Sequence, residues 1–199
     1  MGAYYNAVVI KDDIEKTMFD TWSVENGAKL MEHSYLMNTY VNKVLHSVIS
    51  DDESVSPIFR LDWLCDYHEK NNSSDITWDD VERDETSLIN ETDAVFLYYI
   101  INVDKECYID MVELIFLYFK KVGRDKDYLH PIPILCNSEK GSMGGGDLHR
   151  EESQRGTWRN DNLVISYIHP NQTKTNNNLL NNTYFENITK DVVFLEREE

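Results

Sequence analysis

The sequence predicts an α+β fold: a single globular domain over residues 1–199, with a largely antiparallel mixed sheet packed against one long amphipathic helix. Three observations predict it. Apolar residues recur at helical spacing over about residues 27–49, at Leu30, Tyr35, Leu36, Tyr40, Val41, Val44, Leu45, Val48 and Ile49. Short runs rich in aromatic and β-branched residues recur between polar segments, the pattern of a sheet. A chain of 199 residues that is 41% hydrophobic and 12% aromatic is long enough to bury a core and too apolar for wholesale disorder.

Taken in chain order, Ala3–Lys11 (AYYNAVVIK) reads as a first strand, and the polar stretch Asp12–Glu25 as a connection. The long helix follows and is ended by the acids and proline of Asp51–Pro57. Ile58–Tyr67 (IFRLDWLCDY) reads as a strand whose alternation places Phe59, Leu61, Trp63 and Cys65 on one face. The acidic segment 69–93 is expected to be exposed, with a short helix over Trp78–Glu85. Ala94–Val103 is a strongly apolar strand, and Asp104-Lys105 a two-residue turn into a strand over Glu106–Met111. Ile109, Val112, Ile115, Phe116 and Phe119 fit a helix equally well, and periodicity alone leaves the two open. Pro131–Asn137 (PIPILCN) reads as an edge strand, because prolines suit a strand start. A Gly-rich loop spans 138–160, Leu163–Ile168 is a strand, Asn171–Asn182 is an Asn-rich exposed excursion, and Val192–Leu195 is a last strand.

Charge separates the chain into unlike parts. The formal net charge is −17, from 19 Lys and Arg against 36 Asp and Glu. Such a field disfavours direct binding to nucleic acid or to an anionic membrane and favours basic partners. From Asp51 to Asp93 there are fourteen acidic and three basic side chains, whereas Lys120–Arg159 carries eight basic and six acidic ones. The second stretch carries a net charge of +2. Three widely separated cysteines, Cys65, Cys107 and Cys136, form no CxxC pair, so neither a zinc ribbon nor a disulfide framework is indicated. The N-terminus lacks a basic n-region and a long apolar core, and no apolar run is long enough to span a bilayer. The expected location is the cytoplasm. The Asn-rich composition is of the kind AT-rich coding produces, as in a low-GC bacterium or its phages.

Chemistry concentrates in MGGGDLHREESQRGTWR, Met143–Arg159. Half of the chain's eight glycines fall between Gly141 and Gly146. Glycines allow positive φ and let backbone N–H groups converge on an anion. Arginines add bidentate phosphate contacts, and a tryptophan can stack on a base. The expected ligand-binding residues are Gly144, Gly145, Gly146, Asp147, His149, Arg150, Arg155, Trp158 and Arg159. The stretch matches neither GxxxxGK[ST] nor a GxGxxG between strand and helix. Its plain alternative is a surface loop whose arginines pair with Glu151 and Glu152.

Two Asp-x-His pairs, Asp66/His68 and Asp147/His149, would each offer two ligands to one metal from extended backbone, with Glu69 beside the first. A phosphoesterase needs further Asp and Asn-His elements, and the set is incomplete. Glu32-His33 lacks the second histidine of HExxH, and no GxSxG elbow is present. No catalytic residue, cofactor or metal is therefore assigned. The sequence favours a binding protein that captures a nucleotide or other phosphorylated small molecule on loop 141–159, sequestering it as an antagonist of a signalling or host pathway. The alternative is an acidic inhibitor that blocks a basic, nucleic-acid-binding partner by imitating phosphate charge. A metal-dependent phosphodiesterase ranks third. Homo-oligomerisation is compatible with each.

Overall fold

The computed structural model describes residues 5–12, 15–19, 21, 39–49, 53–65, 82–84, 97–122, 129–138, 154–172, 180 and 183–193. Their fold is α+β. One eight-stranded sheet has the order β4-β2-β1-β3-β7-β5-β6-β8. In chain order the strands are β1 (Tyr5–Lys11), β2 (Glu15–Phe19), β3 (Phe59–Cys65), β4 (Glu82–Asp84), β5 (Tyr99–Asn102), β6 (Cys107–Asp110), β7 (Leu163–Ser166) and β8 (Glu186–Asn187). All neighbours are antiparallel except the outer pairs β2–β4 and β6–β8. The helices are α1 (Thr39–His46), α2 (Met111–Val122) and α3 (Pro131–Leu135), with a 3-10 turn at Thr189–Val192. Among the described residues no helix is long and apolar enough to cross a membrane.

Alternation along the strands builds the core. Tyr5, Ala7 and Val9 of β1, Phe59, Leu61 and Trp63 of β3, Ile100 of β5, Ile109 of β6, and Leu163 and Ile165 of β7 share one buried face. Helix α1 covers it with Tyr40, Val41, Val44 and Leu45, α2 with Met111, Leu114 and Tyr118, and α3 with Ile132, Ile134 and Leu135. The other face is buried too, in two smaller clusters. Val8, Ile10, Met18 and Leu64 form one; Ile101, Tyr108, Val164, Leu180 and Phe185 form the other. Leu180, within the Asn-rich excursion, is thus a core residue.

Of the long helix expected over 27–49, α1 supplies only Thr39–His46; residues 47–49 form a turn, and 27–38 lie outside the described residues, so a single helix of that length is not established. Its Tyr40 hydroxyl accepts the Ala7 N–H at 2.8 Å and donates to the Phe19 carbonyl at 2.5 Å. One side chain thereby bridges the backbones of β1 and β2 where their register pairs Ala7 with Phe19.

Five expectations are corrected. The polar stretch after β1 is not merely a connection, because Glu15–Phe19 turns back as β2 and buries Met18 and Phe19. Asp12 supplies the turn with φ of 49°, a conformation aspartate tolerates. Within the expected helix Trp78–Glu85, residues Glu82–Asp84 are strand, paired with β2. The turn after β5 holds four residues, not two, since Asn102 pairs with Cys107. Asn102 Oδ1 accepts the Lys105 N–H at 3.0 Å, and Glu106 takes φ of 51°. Pro131–Leu135 is helix rather than strand, because prolines in a first helical turn remove only N–H groups that have no intrahelical partner. The expected last strand is replaced, at its start, by the 3-10 turn ending at Val192.

The open question over 106–119 resolves as both. Strand β6 runs to Asp110, whose Oδ1 accepts the N–H groups of Val112 at 2.9 Å and Glu113 at 3.0 Å, capping α2 at once.

Candidate functional site at the root of the glycine-rich loop

Strands β3 and β7 are neighbours but pair at one position only, Phe59 with Leu163. Beyond it their facing edges bind other backbone. On the β7 edge, the Ser56 N–H donates to the Ile165 carbonyl at 2.8 Å, the Ser56 hydroxyl accepts the Ile165 N–H at 2.9 Å, and the Tyr167 N–H donates to the Ser54 carbonyl at 2.8 Å. On the β3 edge, the Trp63 N–H donates to the Cys136 carbonyl at 2.8 Å and the Ser138 N–H to the Trp63 carbonyl at 3.0 Å. The central sheet therefore opens, and the segment leaving α3 enters the gap parallel to β3.

The far end of loop 138–160 returns to the same place. Gln154–Asn160 forms successive turns, with the Gly156 N–H donating to the Ile134 carbonyl at 3.0 Å, Trp158 N–H to Leu135 carbonyl at 2.8 Å, and Asn160 N–H to Leu61 carbonyl at 3.4 Å. Gly156 has φ of 64°, and a Cβ there would lie 2.7 Å from the Asn137 carbonyl oxygen. Two constraints thus require glycine: a left-handed backbone and contact with the other end of the loop. Gly156→Ala is expected to cost about 2–3 kcal/mol, from the αL penalty plus displacement of fixed backbone. Denaturant titration checks this; a loss within experimental error would mean the two loop ends are not held against each other.

A charge pair completes the root. Asp62 alternates with Leu61 and Trp63 and so lies on the second face of the sheet, its side chain only 1% exposed. Arg159 Nε and Nη2 each reach Asp62 Oδ2 at 3.0 Å, while Nη1 donates to the Ser138 carbonyl at 3.2 Å. One guanidinium ties the start of the loop to its end and both to β3.

Of the nine expected ligand residues, three are described, and all three sit at this root. Trp158 packs in the main core and Arg155 is buried, each 2% exposed, while Arg159 is engaged by Asp62. Gly144, Gly145, Gly146, Asp147, His149 and Arg150 lie outside the described residues, as do Asp66 and His68. Among the described residues no group of three or more His, Cys, Asp or Glu side chains is placed to hold a metal. Sequence reasoning overlooked Asp62, Ser138 and the particular role of Gly156. Asp62 had a usable signal: an acid inside FRLDWLC, flanked by side chains buried on both faces, requires a cation.

Cys136 is buried at the end of α3 rather than on the strand expected there, and burial pushes its thiol well up. Burial likewise pushes Cys107 up to about 11, so neither is a thiolate nucleophile at neutral pH. The rings of Tyr99, Tyr108 and His169 meet edge to face at 5.3–5.8 Å, with the Tyr108 hydroxyl 3.2 Å from His169 Nε2. Asn171 then binds both the N–H and the carbonyl of Phe185, at 2.8 Å each, which holds the end of the Asn-rich excursion on the sheet.

No protein-family model matches the chain, and neither curated proteins nor solved structures give a match.

Proposed function

We propose that the chain is a binding protein that captures a nucleotide or other phosphorylated small molecule on loop 141–159. The observation that carries this reading is the closed root. Asn137–Ser138 and Gly156–Arg159 are joined to each other and to β3, so the intervening residues leave from and return to one rigid point. Rigid anchorage reduces the ordering cost of a loop that binds through its backbone. The excursion holds three consecutive glycines, Gly144–Gly146, with Arg150 beyond, within a stretch, Lys120–Arg159, whose eight basic side chains outnumber its six acidic ones in a chain of net charge −17. Glycine N–H groups and an arginine are the donors a phosphate needs. In this reading Asp147 and His149 contact the sugar or base, and Arg155, Trp158 and Arg159 support the loop from below.

Titration calorimetry against mono- and dinucleotides, cyclic and oligomeric nucleotides, and pyrophosphate tests it. Wild type is expected to bind at least one of these. Arg150→Ala is expected to weaken binding about tenfold or more, as loss of a charge-assisted contact does, without changing thermal stability. Absence of heat with every ligand, or equal affinity in Arg150→Ala, would refute it.

A further inference from the structure

We propose that the outer face of α2 is a homodimer interface, in which two copies of this helix cross antiparallel about a two-fold axis near Phe116. Met111, Leu114 and Tyr118 turn into the core, and the opposite side of α2 is apolar as well. Val112 is 48%, Phe116 67% and Phe119 58% exposed. Their spacing of four and three residues makes a continuous stripe on one helix face. Exposed Val112 and Phe116, one turn apart and continued by the partly exposed Phe119, are the kind of patch that marks an association surface.

Charge selects a second copy as the occupant. Glu113 stands three residues before Phe116 and Lys120 four residues after it, on the same side of the helix. At about 1.5 Å rise per residue, acid and base lie at nearly equal distances either side of the apolar centre. A two-fold axis near Phe116 therefore sets Glu113 of each copy against Lys120 of the other, while Phe116 meets Phe116. Only an isologous contact makes both pairs at once. Asn187 Nδ2 donates to Glu113 Oε2 at 2.7 Å and holds that carboxylate in position. The stripe is flanked by one acid and one base, Glu113 and Lys120, so its two copies add no net repulsion to a contact between chains of net charge −17. The proposal is independent of what the glycine-rich loop binds.

Sedimentation equilibrium of the full chain at about 150 mM salt tests it, where a Debye length of about 8 Å screens the overall repulsion more than contacting pairs. Wild type is expected to pass from monomer to dimer between micromolar and millimolar concentration. Phe116→Glu should remain monomeric throughout, and Lys120→Glu, which sets acid against acid twice, should weaken dimerisation about tenfold. The charge swap Glu113→Lys/Lys120→Glu should restore it. Phe116 and Lys120 are solvent-exposed and Glu113 is half-buried beside Asn187, so circular dichroism of each variant checks that it folds. A wild type monomeric at all concentrations, a Phe116→Glu variant that still dimerises, or a swap no better than Lys120→Glu alone would each overturn the proposal.

Discussion

Arg159→Ala is expected to destabilise the protein by about 3–5 kcal/mol, the usual loss when a buried ion pair keeps its charge and loses its partner. Asp62 is the reason. Its side chain is 1% exposed, whereas that of Arg159 is 20% exposed, so the arginine retains some access to water and the carboxylate has almost none. Removing the arginine takes away both 3.0 Å contacts to Oδ2 and also the bond to the Ser138 carbonyl. Arg159→Lys is expected to fall between wild type and alanine, because a single ammonium cannot reproduce the guanidinium's fork. The double variant Asp62→Leu/Arg159→Met should recover most of the loss, since an apolar pair removes the charge and the need to solvate it together. Urea unfolding of the four proteins gives the comparison. If Arg159→Ala lies within about 1 kcal/mol of wild type, as exposed pairs do, then Asp62 is solvated in solution and the root is not closed. Arg159→Ala and Arg150→Ala together separate support from recognition: Arg150→Ala should change affinity alone, and Arg159→Ala should change stability first.

What the sequence disclosed, and what it withheld, follows from where the determining contacts lie. Strand β3 was legible because Phe59, Leu61 and Trp63 repeat with the period of the pleat, and β1 because its run is rich in aromatic and β-branched residues. The α1 residues Tyr40, Val41, Val44 and Leu45 were legible for the same reason at helical period. Strand β2 was not, because EKTMF has no alternation of its own and its pairing with β1 decides its conformation. Helix α3 misled because PIPIL is equally apolar in either state, and the deciding feature is a cap at His130. At the site, the loop stood out by composition, and its anchored ends could be inferred from its apolar flanks. The identity of the anchors could not. Asp62 and Arg159 are 97 residues apart, and nothing local in either segment names the other. Gly156 looked like one glycine among several, although its positive φ and its approach to Asn137 set it apart.

His130 should make the protein lose stability in acid, by on the order of 4 kcal/mol between neutral pH and about pH 3. The ring is fully buried at the start of α3, and burial pushes its pKa down from 6.5 to about 3. Nδ1 accepts the Ile132 N–H at 3.2 Å, so the neutral ring carries its proton on Nε2, 3.4 Å from the Tyr98 hydroxyl. Protonation would set a second N–H against that of Ile132 and remove the cap. The native state therefore resists a proton that the unfolded chain accepts below about 6.5. With the folded pKa depressed, the stabilisation is complete above 6.5 and is lost as pH falls from 6.5 toward 3, by at most about 1.4 kcal/mol per pH unit. Carboxylates titrate over part of the same range, so the measurement is a comparison. His130→Asn keeps an acceptor suited to a helix start and has no titration. It carries a constant penalty from its smaller volume, and the stability gap between wild type and variant should narrow steadily, and can reverse, as pH is lowered from 6.5. Urea midpoints across that range give the gap directly. A gap that stays constant down to pH 3 would show that His130 is not held neutral in the native protein.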